Sequence, residues 1–301
     1  MNYFSMVTTS YSHDYTRLAL SSFLQHTPLC AGDELLLIDN DGDFKPADMP
    51  DSPYLRLQRN DTPRSFAANV NHALRGAAEQ QADLYMLNND LVFSPGWFAP
   101  LEAQQDKIAL PVSNVEFPYK AGSWELNTAL DLQDYLGNES LFEAIAHAHC
   151  RRHQGFSPSY RPAYFCVKLP WTVYHVLGEL DNRFGIGGAE DNDYTLRAWL
   201  AGFSVGYVLN SFVLHFHGKS TWRGPESEAD RQARNAQYLR AFEDKWGEDL
   251  LALCIRGDTT VVQGDQDLQE LLNNHAYGEL MRVLVKRAGL NVEQGNPTLE
   301  V

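Results

Sequence analysis

The sequence predicts an α/β fold, a mainly parallel central sheet flanked by helices, and three observations lead there. Strand and helix patterns alternate over residues 3–87. The strand candidates are continuous apolar runs, as in Glu34-Leu-Leu-Leu-Ile-Asp39, which suits strands buried on both faces. Polar residues with chemical potential gather where those runs end, the place at which open parallel sheets bind ligands.

In order, Tyr3 to Thr8 reads as the first strand and Tyr15 to His26 as the first helix. Glu34 to Asp39 and Tyr54 to Gln58 are the next strands; the alanine-rich stretch Ser65 to Gln81 is a helix, and Ala82 to Leu87 a fourth strand. Pro95 and Gly96 punctuate the start of a helix over Trp97 to Gln105, and Ile108 to Val112 is again a strand. Helices are expected at Ala129 to Leu136 and Ser140 to Arg151, a strand at Ala163 to Lys168, and helices at Trp171 to Gly178 and Asp191 to Ala201. Two extended pieces follow, Ser204 to Asn210 and Phe212 to Phe216. Glu226 to Trp246, capped by Ser227, and Leu268 to Ala288 form a late helical extension, expected to cover the sheet. A boundary near residue 224 separates it from the rest.

The chain has 301 residues, enough for a sizeable core. Its 39 acidic against 24 basic residues give a net charge of -15, which argues against nucleic-acid backbone binding as the main role. Cys30, Cys150, Cys166 and Cys254 are scattered with no CxxC pair, so neither a disulfide framework nor a zinc ribbon is expected. The N-terminus reads as a strand rather than a leader, and no apolar run reaches the roughly 18 residues of a membrane span. A cytoplasmic enzyme is the expectation. Peripheral contact with the inner face of the cell membrane and self-association stay open.

Three acidic or histidine elements carry the chemistry. Thr8 and Thr9 end the first strand, Asp39 ends the second, and Asn88-Asn89-Asp90 follows the fourth. Asp39 suits a sugar hydroxyl or a base N–H; it equally suits the turn that Asn40-Asp41-Gly42 would form. Gly187-Gly-Ala-Glu190-Asp191-Asn-Asp193 opens a helix, where carboxylates also suit the helix dipole. Asp193 and Arg197 are four residues apart and predict an ion pair. Leu214-His215-Phe216-His217 places two histidines on one face of a strand. No GxGxxG or GxxxxGK[ST] exists, so neither dinucleotide nor P-loop chemistry is expected. His149 and His153 share a helical face but lack zinc spacing.

Taken in order, Val7-Thr8-Thr9-Ser10-Tyr11, Leu36-Leu-Ile-Asp39-Asn40, Arg59-Asn60, Ser65-Phe-Ala-Ala-Asn69, Leu87-Asn-Asn-Asp90 and Gly188-Ala-Glu-Asp191-Asn-Asp-Tyr194 resemble the inverting family 2 glycosyltransferases over residues 3–221. The resemblance implies the GT-A fold, a Rossmann-like sheet that binds a nucleotide sugar. It implies that Thr8, Thr9 and Asp39 line the nucleotide pocket, Asp39 at a uracil or thymine base, and that Arg64 and Asn69 lie beside the nucleotide. The family's paired metal aspartates are here Asn88-Asn89-Asp90, leaving Asp90 to hold Mn2+ or Mg2+ with a histidine, His215 or His217. Asn88 would reach a ribose or a metal-bound water. Asp191 is implied as the general base, with Glu190 as the alternative, and Trp124 is the best acceptor-stacking candidate. Lys219, Trp222 and Arg223 are candidates for closing over a diphosphate.

The activity so implied moves a sugar from a UDP- or dTDP-sugar to a hydroxyl of a glycan or lipid-linked glycan, as in bacterial polysaccharide or lipopolysaccharide assembly. Two other readings compete. One is a noncatalytic nucleotide- or carbohydrate-binding protein on a degenerate transferase scaffold, kept alive by Asn88. The other is a nucleotidyltransferase, which would want a glycine- and lysine-rich loop that Thr8 to Tyr15 lacks.

Overall fold

The computed structural model describes residues 1–219, 226–293 and 296–299. Strands β1 (Asn2–Thr8), β2 (Glu34–Asp39), β3 (Leu55–Arg59) and β4 (Asp83–Leu87) alternate with helices α1 (His13–His26) and α2 (Phe66–Glu79). Then come β5 (Leu91–Phe93), α3 (Phe98–Glu102), β6 (Lys107–Ser113), the hairpin β7 (Tyr119–Ala121) and β8 (Trp124–Leu126), α4 (Leu132–Tyr135) and α5 (Glu139–Arg152). The second half holds β9 (Phe156–Pro158), β10 (Cys166–Leu169), α6 (Trp171–Leu177), α7 (Glu190–Leu200), β11 (Ser204–His215), α8 (Glu228–Trp246), α9 (Glu248–Leu250), α10 (Gln266–Asn273) and α11 (Tyr277–Arg287).

The main sheet runs β3-β2-β1-β4-β10-β6-β11-β5, with β9 also on β11. β3, β2, β1 and β4 are parallel. β10 is antiparallel to both neighbours, so β6 points the same way as β4, and β11 lies parallel to β6. Register aligns the strand ends: Thr8 pairs with Asp39, and Asp39 with Arg59. The C-terminal edge of this parallel half is therefore a shared rim.

The unbroken apolar run of β2 has a simple cause. Leu35 and Leu37 pack on one face with Phe4, Phe23 and Trp97, under α1 and α3; Leu36 and Ile38 pack on the other with Val70, Leu74 and Met86, under α2. Alternate side chains point to opposite faces, and both faces are covered. The second face continues into the late helices, where Trp246, Leu250, Leu253 and Leu284 join Leu196 and Trp199 of α7. A third cluster, including Phe142, Phe212 and Leu214, fills the space under α5.

Several expectations need correction. The helix read over Leu268 to Ala288 is two, α10 and α11, broken where His275 adopts φ +57°. The two extended pieces after Ser204 are one strand, β11, whose register on β6 shifts between Val208 and Phe212. β11 ends at His215, and His217 has φ +51°, so the two histidines do not share a strand face. The helix expected over Ala129 to Leu136 is the single turn α4, closed by a capping box of Asp131 and Asp134.

Candidate active site

A cavity of about 340 Å³ opens at the ends of β1 and β4. It is lined by Thr9, Asn69, Asn88, Asn89, Glu190, Asp191, His215 and His217, together with Val7, Phe66, Tyr164 and Phe165 among others. Residues from six separated stretches thus meet on one surface.

Asp90 is fully buried in the turn between β4 and β5 and is not itself among the lining residues; it reaches the cavity only through His215. Its Oδ2 accepts from the Lys219 backbone N–H at 3.0 Å, and its Oδ1 lies 3.4 Å from His215 Nε2. The His215 ring is 6% exposed and stacks on Phe165, with centroids 4.8 Å apart. Neither of its ring nitrogens makes a hydrogen bond among the described residues. A buried polar group left so costs about 1–3 kcal/mol and calls for a ligand to explain it. An imidazole nitrogen and a carboxylate oxygen facing one point form a donor pair that suits a divalent cation such as Mn2+. Among the described residues no group of three or more His, Cys, Asp and Glu side chains forms a metal site, so further ligands would come from a bound phosphate or water. His217 lines the same cavity but is exposed, its ring 5.8 Å from that of His215.

The first turn of α7 supplies another part of the lining. Glu190 is buried, and its Oε2 accepts from the Gly188 N–H at 2.6 Å. Asp191 faces the cavity with its Oδ1 on the Asn192 N–H at 2.8 Å. Burial, and next the neighbouring Glu190 charge, raise its carboxyl pKa to about 7. The third acidic side chain of the run has a different task. Asp193 is fully buried and takes Arg197 Nε at 2.9 Å, Lys245 Nζ at 2.7 Å and Trp246 Nε1 at 2.8 Å. Arg197 in turn caps α6 by donating to the Leu177 and Glu179 carbonyls. The expected Asp193–Arg197 pair is present and structural. Asp193→Ala takes from buried Arg197 its only carboxylate partner among the described residues and leaves Lys245 with Asp181, and a loss of about 3 kcal/mol in urea unfolding is expected.

The remaining candidates divide. Asn89 lines the cavity yet spends its amide N–H groups on Ser12 Oγ and Thr16 Oγ1. Thr8 is buried beneath, bonded to Thr16. Asn69 belongs to an amide cluster in which Asn40 Oδ1 accepts from Asn60 at 2.8 Å, Asn69 at 3.0 Å and the Arg64 backbone at 2.9 Å. Asn88 remains open to the cavity. Asp39 is not among the lining residues: its carboxylate accepts from Gly42 N–H, Phe44 N–H and Arg59 Nε, which is the turn-forming alternative. The Arg64 side chain is exposed and Trp124 donates to the Asp134 carbonyl; neither lines the cavity. Trp222 and Arg223 lie outside the described residues. His149 is engaged at both nitrogens, by Tyr119 Oη and the Leu209 carbonyl, and burial lowers its pKa to about 4.

Phe66, Tyr164 and Phe165 were not foreseen in the site. Phe66 and Phe165 read in sequence as ordinary apolar strand and helix residues, and nothing local marks them. Among solved structures, the chain is similar to the crystal structure of GalNAc-T7 with UDP, GalNAc and Mn2+, with a TM-score of 0.52 and 16% identity over 92% of this chain and 54% of that one. The fold is GT-A. The chain thus spans about half the length of that structure. Mannosyltransferase PcManGT from Pyrobaculum calidifontis, in complex with GDP-Man and Mn2+, aligns over 95% of this chain and 85% of its own, at 11% identity and a TM-score of 0.47. S. aureus TarS 1-349 in complex with UDP aligns over 100% and 96%, also at 11% identity and a TM-score of 0.47. No protein-family model matches the chain. No curated protein matches it either.

Proposed function

We propose that this GT-A chain is an inverting, metal-dependent glycosyltransferase of the family 2 type. It would move a sugar from a UDP- or dTDP-sugar to a hydroxyl of a glycan or lipid-linked glycan. The observation that carries the reading is one cavity lined by both His215 and Asp191, with the buried Asp90 carboxylate 3.4 Å behind the His215 ring. The GT-A fold adds support, since the GalNAc-T7 structure that shares it holds UDP and Mn2+.

Asp90 and His215 would hold Mn2+ or Mg2+, which when bound supplies positive charge to the diphosphate leaving group. Asp191 accepts the proton of the acceptor hydroxyl as that oxygen attacks the anomeric carbon. The carbon–oxygen bond to the diphosphate breaks, the nucleoside diphosphate departs with the electron pair, and the anomeric centre inverts. Phe165 holds the His215 ring by stacking, and Glu190 holds the glycine loop through Gly188. In this reading residues 1–224 are the catalytic domain and 225–301 a helical extension.

A carboxyl with pKa about 7 is a competent base only once deprotonated. The transfer rate is therefore expected to rise through pH 7 and to level off above it. The direct test of donor class is thermal stabilisation across UDP-, dTDP- and GDP-sugars with and without Mn2+. A Mn2+-dependent shift with UDP- or dTDP-sugars supports the reading; no shift with any donor counts against it.

A further inference from the structure

The loop that delivers Asp191 is glycine-rich and is held by few contacts of its own, the Glu190 carboxylate on the Gly188 N–H and the Phe66 N–H on the Ile186 carbonyl. Gly185, Gly187 and Gly188 fall within four residues, and glycine carries the largest conformational entropy of any residue. The side-chain packing against its glycines comes from α8. The ring of Tyr238 lies against Gly188 so closely that a Cβ there would sit 2.1 Å from Cδ1. Gln237 meets Gly185, φ +79°, in the same way, at 2.8 Å. Arg234 Nη1, from the same helix, donates to the Gly187 carbonyl at 3.4 Å. Past the loop, Asn192 Nδ2 donates to the Cys254 carbonyl at 2.9 Å. These contacts bracket Glu190 and Asp191 on both sides.

We propose that Tyr238 is a positioning residue of this site, whose ring braces residues 185–191 and so fixes how Asp191 faces the cavity. The importance of that direction rests on the base role given to Asp191 above. The contact is made by ring carbons, so the aromatic ring and not its hydroxyl carries the function. Glu190 faces Asp191 from its own helix, Tyr164 from the segment before β10, Tyr207 from β11, and His215 and His217 from across the cavity. Tyr238 is not among the residues lining the cavity and acts through the loop.

The test is a 13C NMR titration of the Asp191 carboxyl in the full chain, assigned with Asp191→Asn, in the wild type, Tyr238→Phe and Tyr238→Ala. Tyr238→Phe is expected to titrate like the wild type. Tyr238→Ala is expected to titrate lower by about one pH unit or more, because a loosened loop admits water to the carboxylate. An unchanged midpoint in Tyr238→Ala overturns the proposal. Tyr238→Leu, which keeps bulk without the ring, is read in the same way if the alanine variant does not fold. Absence of sugar transfer by the wild type would sink the proposed function and leave this titration standing.

Discussion

Asp191→Asn is expected to lower the turnover number for sugar transfer by about 10²–10⁴-fold, the range for loss of a general base. Asparagine keeps the shape and the hydrogen bond from the Asn192 N–H but cannot take the acceptor proton. Donor binding should be unchanged, because the substitution leaves Asp90 and His215 in place. Glu190→Gln should behave differently. Its carboxylate holds the Gly188 N–H, so that variant is expected to loosen the loop and lower turnover less.

A second readout for Asp191 comes from linkage. Its folded pKa is raised from 3.8 to about 7, so the folded state binds the proton more tightly than the unfolded chain. Its contribution to stability is therefore present at low pH, declines as pH rises from about 4 to about 7, and is constant above. Urea unfolding at pH 5 and pH 8 should show a smaller difference in Asp191→Asn than in the wild type. Equal differences would mean that the carboxyl is not raised.

The second large effect concerns Asp90 and His215. Either change to alanine would remove one of the two protein ligands proposed above. Groups that merely orient a ligand are worth about 10–100-fold in metal affinity, so loss of a direct ligand should cost about 100-fold or more. Free Mn2+ measured by electron paramagnetic resonance, with UDP present, reads this without turnover. His217→Ala should move it less, since that side chain is exposed and its ring lies 5.8 Å from that of His215. A His217 effect equal to that of His215 would put the cation elsewhere in the cavity.

Much of this was legible in the sequence where pattern and position are coupled. Apolar runs ending in Thr8, Asp39 and Asp90 marked strands whose ends share a rim, and parallel register brings the first two side by side. What sequence could not show was whether a polar side chain is already spent. Asp39 looked like a ligand group, yet the turn through Gly42 and Phe44 consumes its carboxylate. Asn69 and Asn89 stand at the cavity but serve amide and hydroxyl networks made with residues distant in the chain. The antiparallel β10, placed between β4 and β6, carries no local sign of its direction, because an apolar strand reads alike in either sense. Tyr238 was equally hidden: it lies far along the chain from the loop that it braces, on a helix read as a cover for the sheet.

The central claim is tested most directly by following donor hydrolysis by 1H NMR, with water in place of the unknown acceptor and Mn2+ present. The account predicts slow release of sugar whose first-formed anomer is inverted relative to the donor, and none from Asp191→Asn. Release of the retained anomer, or tight donor binding with no release under any condition, would contradict it.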